Sequence, residues 1–174
     1  MPARSKRLVT ASALAALLAN AAAGPATKPA TGKLVIAGGA ITTSKKEIWD
    51  VIMAERLNGR PIGIISAASA KPAESGRPLA KSLGEEYGAN AAVFIPLDSK
   101  LGNARDPEIL ALIERCGGFF FTGGNQSRIT SALLNTDGSP TPALLAIRQI
   151  HRTGGVIGGT SAGAAIMSDR MITG

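Results

Sequence analysis

The sequence predicts an α/β domain, a parallel sheet with helices on both faces, and three observations carry that prediction. From residue 33 onward, short apolar runs alternate with amphipathic stretches of helical spacing. The most apolar run, 117–121, is nearly continuous, as expected of a strand covered on both faces. Two runs end in glycine-rich turns, Thr122-Gly123-Gly124 and Gly159-Thr160-Ser161-Ala162-Gly163. In sheets of this kind chemistry gathers at the carboxyl ends of the strands.

The elements follow in order. Leu34-Val35-Ile36-Ala37 is a strand closed by Gly38-Gly39, and 44–57 places Ile48, Val51, Ile52 and Leu57 near helical spacing. Residues 61–66 form a second strand around Ile62, Ile64 and Ile65, 78–87 a helix, and 91–95 a third strand. Asp106-Pro107-Glu108 opens a helix, with Asp as N-cap and Pro at the first helical position. After the strand 117–121 come helices at 129–134 and 141–152, a last strand at 155–158, and a helix at 162–168. Such a sheet ordinarily continues, so the chain reads as a fragment, with 33–174 a partial domain.

At 174 residues, 45% hydrophobic and 18% charged, the chain suits one globular domain and excludes a disordered or collagen-like one. One Cys and one His exclude a disulfide framework and argue against a Cys- or His-rich metal centre, so no metal is expected. The net charge of +7 is partly an end effect: Arg4, Lys6 and Arg7 lie in a stretch, 1–23, without acids. The rest holds 16 basic and 12 acidic residues, +4. Aromatics are 3%, and Phe119, Phe120 and Phe121 stand together in a buried strand rather than as an exposed stacking surface, so no nucleic-acid partner is expected.

Residues 1–23 have the layout of a secretory signal: a basic start, the apolar stretch 8–19, and Ala21-Ala22-Ala23 as a small-x-small site with cleavage after Ala23. The alternative is an uncleaved anchor, weak because it is Ala-dominated and contains Asn20. Residues 24–32 read as a flexible lead-in. The expectation is a secreted or periplasmic protein without a stable membrane span after cleavage, and the lone Cys116 leaves it no disulfide to form.

Gly159-Thr160-Ser161-Ala162-Gly163 is a G-x-S-x-G between an apolar strand and an Ala-rich helix, the context of a nucleophile elbow. The glycines allow a tight fold, so that Ser161 projects from the sheet top and the Ala162 amide points where an oxyanion would form. The alternative is an ordinary Gly-rich turn. In Thr122-Gly123-Gly124-Asn125-Gln126 the glycines allow close approach of a ligand and offer a second amide. Asn125 and Gln126 add carboxamides that donate and accept, suited to binding a substrate backbone or carboxylate.

The phrases Thr122 to Arg128 and Gly158 to Ser168 resemble the cyanophycinases, serine exopeptidases related to a dipeptidase that cleaves after amino-terminal aspartate. The segments 32–39 and 64–69 fit that family's first two strands. The resemblance implies a three-layer sandwich like the class I glutamine amidotransferases, here incomplete. It implies Ser161 as nucleophile, Gly124 and Ala162 as oxyanion donors, and Gln126 as a contact to the aspartyl part of the substrate. It further implies hydrolysis of cyanophycin, an arginine-decorated polyaspartate, to β-aspartyl-arginine without any cofactor. The partner is then a peptide or polymer substrate, with short aspartyl or isoaspartyl dipeptides as the alternative; a homodimer is one assembly open to it.

In that family the histidine base and the acid lie downstream of the serine, where this chain has only Asp169 and Arg170 as charged side chains. His151 ends the helix before the last strand and so belongs at the opposite edge of the sheet, roughly 15 Å or more from Ser161, beyond the about 3 Å that a base requires. Cys116 reads as a small buried residue, and Glu85, Glu86, Asp106 and Glu108 as solvated or capping groups. Two other readings stay open: a non-catalytic remnant with a retained pocket, and an α/β-hydrolase esterase, disfavoured because no His-Gly-Gly-Gly element precedes the elbow.

Overall fold

A computed structural model describes residues 31–171; the expectations for 1–23 and for most of the lead-in lie outside them. The strands are β1 Leu34–Ala37, β2 Ile62–Ile65, β3 Ala92–Ile95, β4 Gly118–Phe121 and β5 Val156–Thr160, in the order β1-β5-β4-β2-β3. All four pairings are parallel, as short strands joined by helical crossovers demand. β5 therefore lies between the edge strand β1 and β4, and Phe121 pairs with Gly159.

The alternation of a strand divides the side chains between two cores. Phe119 and Phe121 join Ile95, Ile109, Ile113, Ile129, Ile147 and Ile150 on one face, under α3 Pro107–Glu114, α4 Gln126–Leu133 and α5 Pro142–Arg152. Phe120 joins Trp49, Ile52, Ile64 and Leu83 on the other, under α1 Lys46–Ala54 and α2 Pro72–Tyr87. The Phe120 and Trp49 rings pack at 4.6 Å between centroids, tilted by 48°. Both faces of the sheet are covered, so the fold is the α/β class that the apolar runs indicate.

Helix starts follow local chemistry. Asp106 accepts from the Glu108 N–H at 2.8 Å and Thr141 from the Leu144 N–H at 3.4 Å, each ahead of a proline at the first helical turn. Four helices differ from expectation in their bounds. α2 begins at Pro72 rather than 78 and carries Pro78 inside it. α4 begins at Gln126 rather than 129, because Asn125 caps it. The last helix, α6 Ala162–Ala165, is shorter than 162–168, and α1 stops at Ala54 before a 3-10 turn, Leu57–Gly59. Among the described residues no helix is long and apolar enough to cross a membrane.

Candidate active site

β5 delivers Ser161 to the top of the sheet in a conformation that L-residues rarely adopt, φ 52° and ψ −116°. Its neighbours explain why it stays there. A Cβ on Gly159 would stand 2.4 Å from the Gly163 carbonyl oxygen, and one on Gly163 would stand 2.1 Å from the Phe121 carbonyl oxygen. Only glycines let α6 press so closely on β4 and β5. The Ser161 N–H donates to the Ala37 carbonyl at 3.3 Å, and the Ser161 carbonyl accepts from Ala164 and Ala165 at 2.9 Å each. With its main chain bonded on both sides, Ser161 is exposed while Ala162 and Gly163 are buried, and its hydroxyl does not cap α6.

The loop after β4 runs beside this turn. A Cβ on Gly123 would lie 3.2 Å from Ser161 Cβ and 3.7 Å from its Oγ. Gly124 has φ +142°, and a Cβ there would lie 2.4 Å from the Ala68 carbonyl oxygen, so this position requires glycine twice over. That same carbonyl anchors the loop, accepting from the Asn125 N–H at 3.0 Å and from Arg128 Nη1 at 3.3 Å. Among the described residues no group accepts from the Gly124 or Ala162 amide. Asn125 Oδ1 accepts from the Ser127 N–H at 2.8 Å, so that oxygen is engaged as a helix cap, and half-buried Gln126 opens α4.

These pieces border an open cleft of about 510 Å³ on the α1/α2 side of the sheet. It is lined by Thr160 and Ser161 at the end of β5, by Phe120, Thr122, Gly123 and Gly124 from β4 and the loop after it, by 39–41, and by Ser75 and Leu79 of α2. No lining residue is charged. Thr160 Oγ1 donates to the Gly39 carbonyl and ties the loop after β1 to the elbow. The segment 39–41, Thr122, Ser75 and Leu79 were not among the sequence-derived site residues. Gly38-Gly39 carried a signal, since it follows a strand and so belongs to the same sheet edge.

The lone histidine is elsewhere. His151 Nδ1 lies 3.0 Å from the Gly155 carbonyl oxygen at the start of β5. Six residues of extended chain separate Gly155 from Ser161, roughly 20 Å. Cys116 is buried, burial pushes its thiol up to about 12, and its Sγ contacts the Leu112 carbonyl oxygen at 3.3 Å. Glu85 pairs with Lys81 at 3.7 Å, Glu86 with Lys46, and Asp106 caps α3. Among the described residues no three His, Cys, Asp or Glu side chains group as a metal site.

Parallel topology with helices on both faces defines a three-layer α/β protein, with Ser161 held in a strained turn between a strand and a helix. The comparisons agree with the α/β fold and are more particular. The chain is 39% identical over 112 residues to cyanophycinase from Synechococcus elongatus, which is 64% of this chain and 33% of that protein. It is 37% identical over 114 residues to cyanophycinase from Trichormus variabilis, and 35% identical over 114 residues to that from Geminocystis herdmanii. Those matches take in 65% of this chain and 36% and 39% of the relatives. The cyanophycinases are thus homologues of this chain, which spans between a third and two fifths of their length. No family profile matches it. The crystal structure of a peptidase from an acI-B1 Actinobacterium shares the fold, with a TM-score of 0.66 at 22% identity over 81% of this chain and 58% of that one.

Proposed function

We propose that this chain carries the nucleophile-bearing part of a serine peptidase of cyanophycinase type. The observation that carries the reading is the geometry of Ser161: exposed, in a positive-φ turn between β5 and α6, facing Gly123. In this reading Ser161 Oγ attacks the substrate carbonyl, and the Gly124 and Ala162 amides receive the developing oxyanion. Expulsion of the leaving amine forms an acyl-enzyme, which water then hydrolyses. The proton leaving Ser161 requires a base, for which His151 is too distant. The resemblance assigns that role to a histidine downstream of the serine. The substrate is cyanophycin, released as β-aspartyl-arginine, and residues 1–23 export the enzyme.

The test is incubation of the full-length protein with cyanophycin and with β-aspartyl-arginine, comparing wild type with Ser161→Ala. Release of β-aspartyl-arginine from the polymer that falls by at least about 10⁴-fold in the variant supports the reading. A variant that keeps its rate excludes Ser161 as nucleophile. The second reading, a binding module that retains the cleft, is favoured by the lack of a titratable side chain among the cleft-lining residues. Binding of the dipeptide without turnover of either compound supports it. A mature chain that begins at Gly24 on amino-terminal sequencing supports export.

A further inference from the structure

The sheet carries a row of three hydroxyls just above its apolar layer. Continuing the registers Ile65 to Phe121 and Phe121 to Gly159 by one residue sets Ser66, Thr122 and Thr160 side by side. All three fall on the α1/α2 face, in step with Ile64, Phe120 and Gly158. The outer two are committed: Ser66 Oγ donates to the Pro72 carbonyl at 2.6 Å, and Thr160 Oγ1 donates to the Gly39 carbonyl. The middle one is not. Thr122 Oγ1 is buried and has no hydrogen-bond partner, although Thr122 lines the cleft next to Gly123 and Ser161.

A buried hydroxyl without a partner is costly, and sites that retain one ordinarily use it. Thr122 is half-buried as a residue, so rotation about its Cα–Cβ bond can exchange methyl and hydroxyl at the cleft wall without moving the main chain. Its main chain is held independently, by the Thr122 N–H donating to the Ile65 carbonyl at 3.0 Å. The cleft presents hydroxyls and main-chain amides rather than charged groups, which suits a ligand rich in carbonyl or carboxylate oxygens. We infer that Thr122 is a specificity-determining residue whose hydroxyl donates to a substrate oxygen seated beside Ser161. The inference rests on the peptidase reading above and adds a contact that the reading does not require.

The test uses Trp49, the one tryptophan of the chain, which packs on Phe120 at the cleft floor and reports occupancy by its fluorescence. Titration with β-aspartyl-arginine compares wild type, Thr122→Val and Thr122→Ser. The expected result is a Kd raised about tenfold in Thr122→Val, the loss of one hydrogen bond, and held within about threefold in Thr122→Ser. In the ligand-free state, Thr122→Val should melt about 2–4 °C above wild type, because an idle buried hydroxyl has been removed. Wild-type affinity in Thr122→Val, or an equal loss in Thr122→Ser, overturns the inference. Should wild type itself fail to bind the dipeptide, the substrate reading falls, and the melting comparison decides Thr122. A higher midpoint then upholds the idle hydroxyl, and a lower one shows it bonded within the fold and ends the proposal.

Discussion

Gly123 and Ser161 face each other across the β4/β5 boundary, so closely that any side chain on Gly123 would crowd the serine. A methyl group there would sit 3.2 Å from Ser161 Cβ, tight enough to displace the serine by a few tenths of an ångström. On the peptidase reading proposed above, Gly123→Ala is expected to lower kcat/KM by at least about tenfold, since small misplacements of a reacting group are expensive. Its melting temperature should stay within a few degrees of wild type. Full activity would show that the space is not needed.

The positive φ of Ser161 has a cost of its own. Strain of this kind is worth on the order of 1–3 kcal/mol, whereas glycine adopts the same conformation at an entropic cost of about 0.5–1 kcal/mol. Ser161→Gly should accordingly be more stable than wild type by about 1 kcal/mol in urea denaturation, and inactive. A variant less stable than wild type would mean that the serine side chain supports the fold.

Two further glycines should respond in opposite directions. Gly163→Ala drives a methyl to 2.1 Å from the Phe121 carbonyl oxygen, in rigid backbone, and should cost about 3 kcal/mol or more. Gly84 lies within α2, with the nearest atom to an added Cβ at 3.8 Å. Gly84→Ala should stabilise by about 0.5–1 kcal/mol. Urea midpoints of the two variants provide the comparison, and equal shifts would contradict it.

Cys116 supplies a pH test. Burial raises its thiol from 9.0 to about 12 in the folded chain. Between those values the unfolded chain has released a proton that the folded chain still holds, so stability falls as pH rises through this window and is undiminished below pH 9. Cys116→Ala should lose that part of the alkaline decline, seen as a shallower fall of the urea midpoint between pH 9 and 10.5. Native wild type should also resist alkylation at pH 8, and fast labelling would show the thiol exposed.

The strands were legible because each is a short apolar run bounded by glycine or proline, and Phe119 to Phe121 announced coverage on both faces. The elbow was legible because its glycines are sterically obligatory. The sequence places the start of α2 at Pro78, which the structure sets inside the helix. Pro72, followed by Glu74 in the first turn, carried the same signal used for Pro107 and Pro142. The side-chain oxygen of Asn125 caps α4, a role that its position ahead of a helix also announces. Strand order is a long-range property, and without it the pairing of β1 with β5, which brings Gly39 to Ile41 beside Ser161, had no local signal.

The contact of Gly159 and Gly163 with neighbouring carbonyls means that the turn holding Ser161 is positioned chiefly by packed main chain. Ile41 and Leu79, by contrast, reach the cleft from a separate loop and a separate helix. On the peptidase reading, the position of the serine and the character of the cleft walls are therefore set by separate parts of the chain.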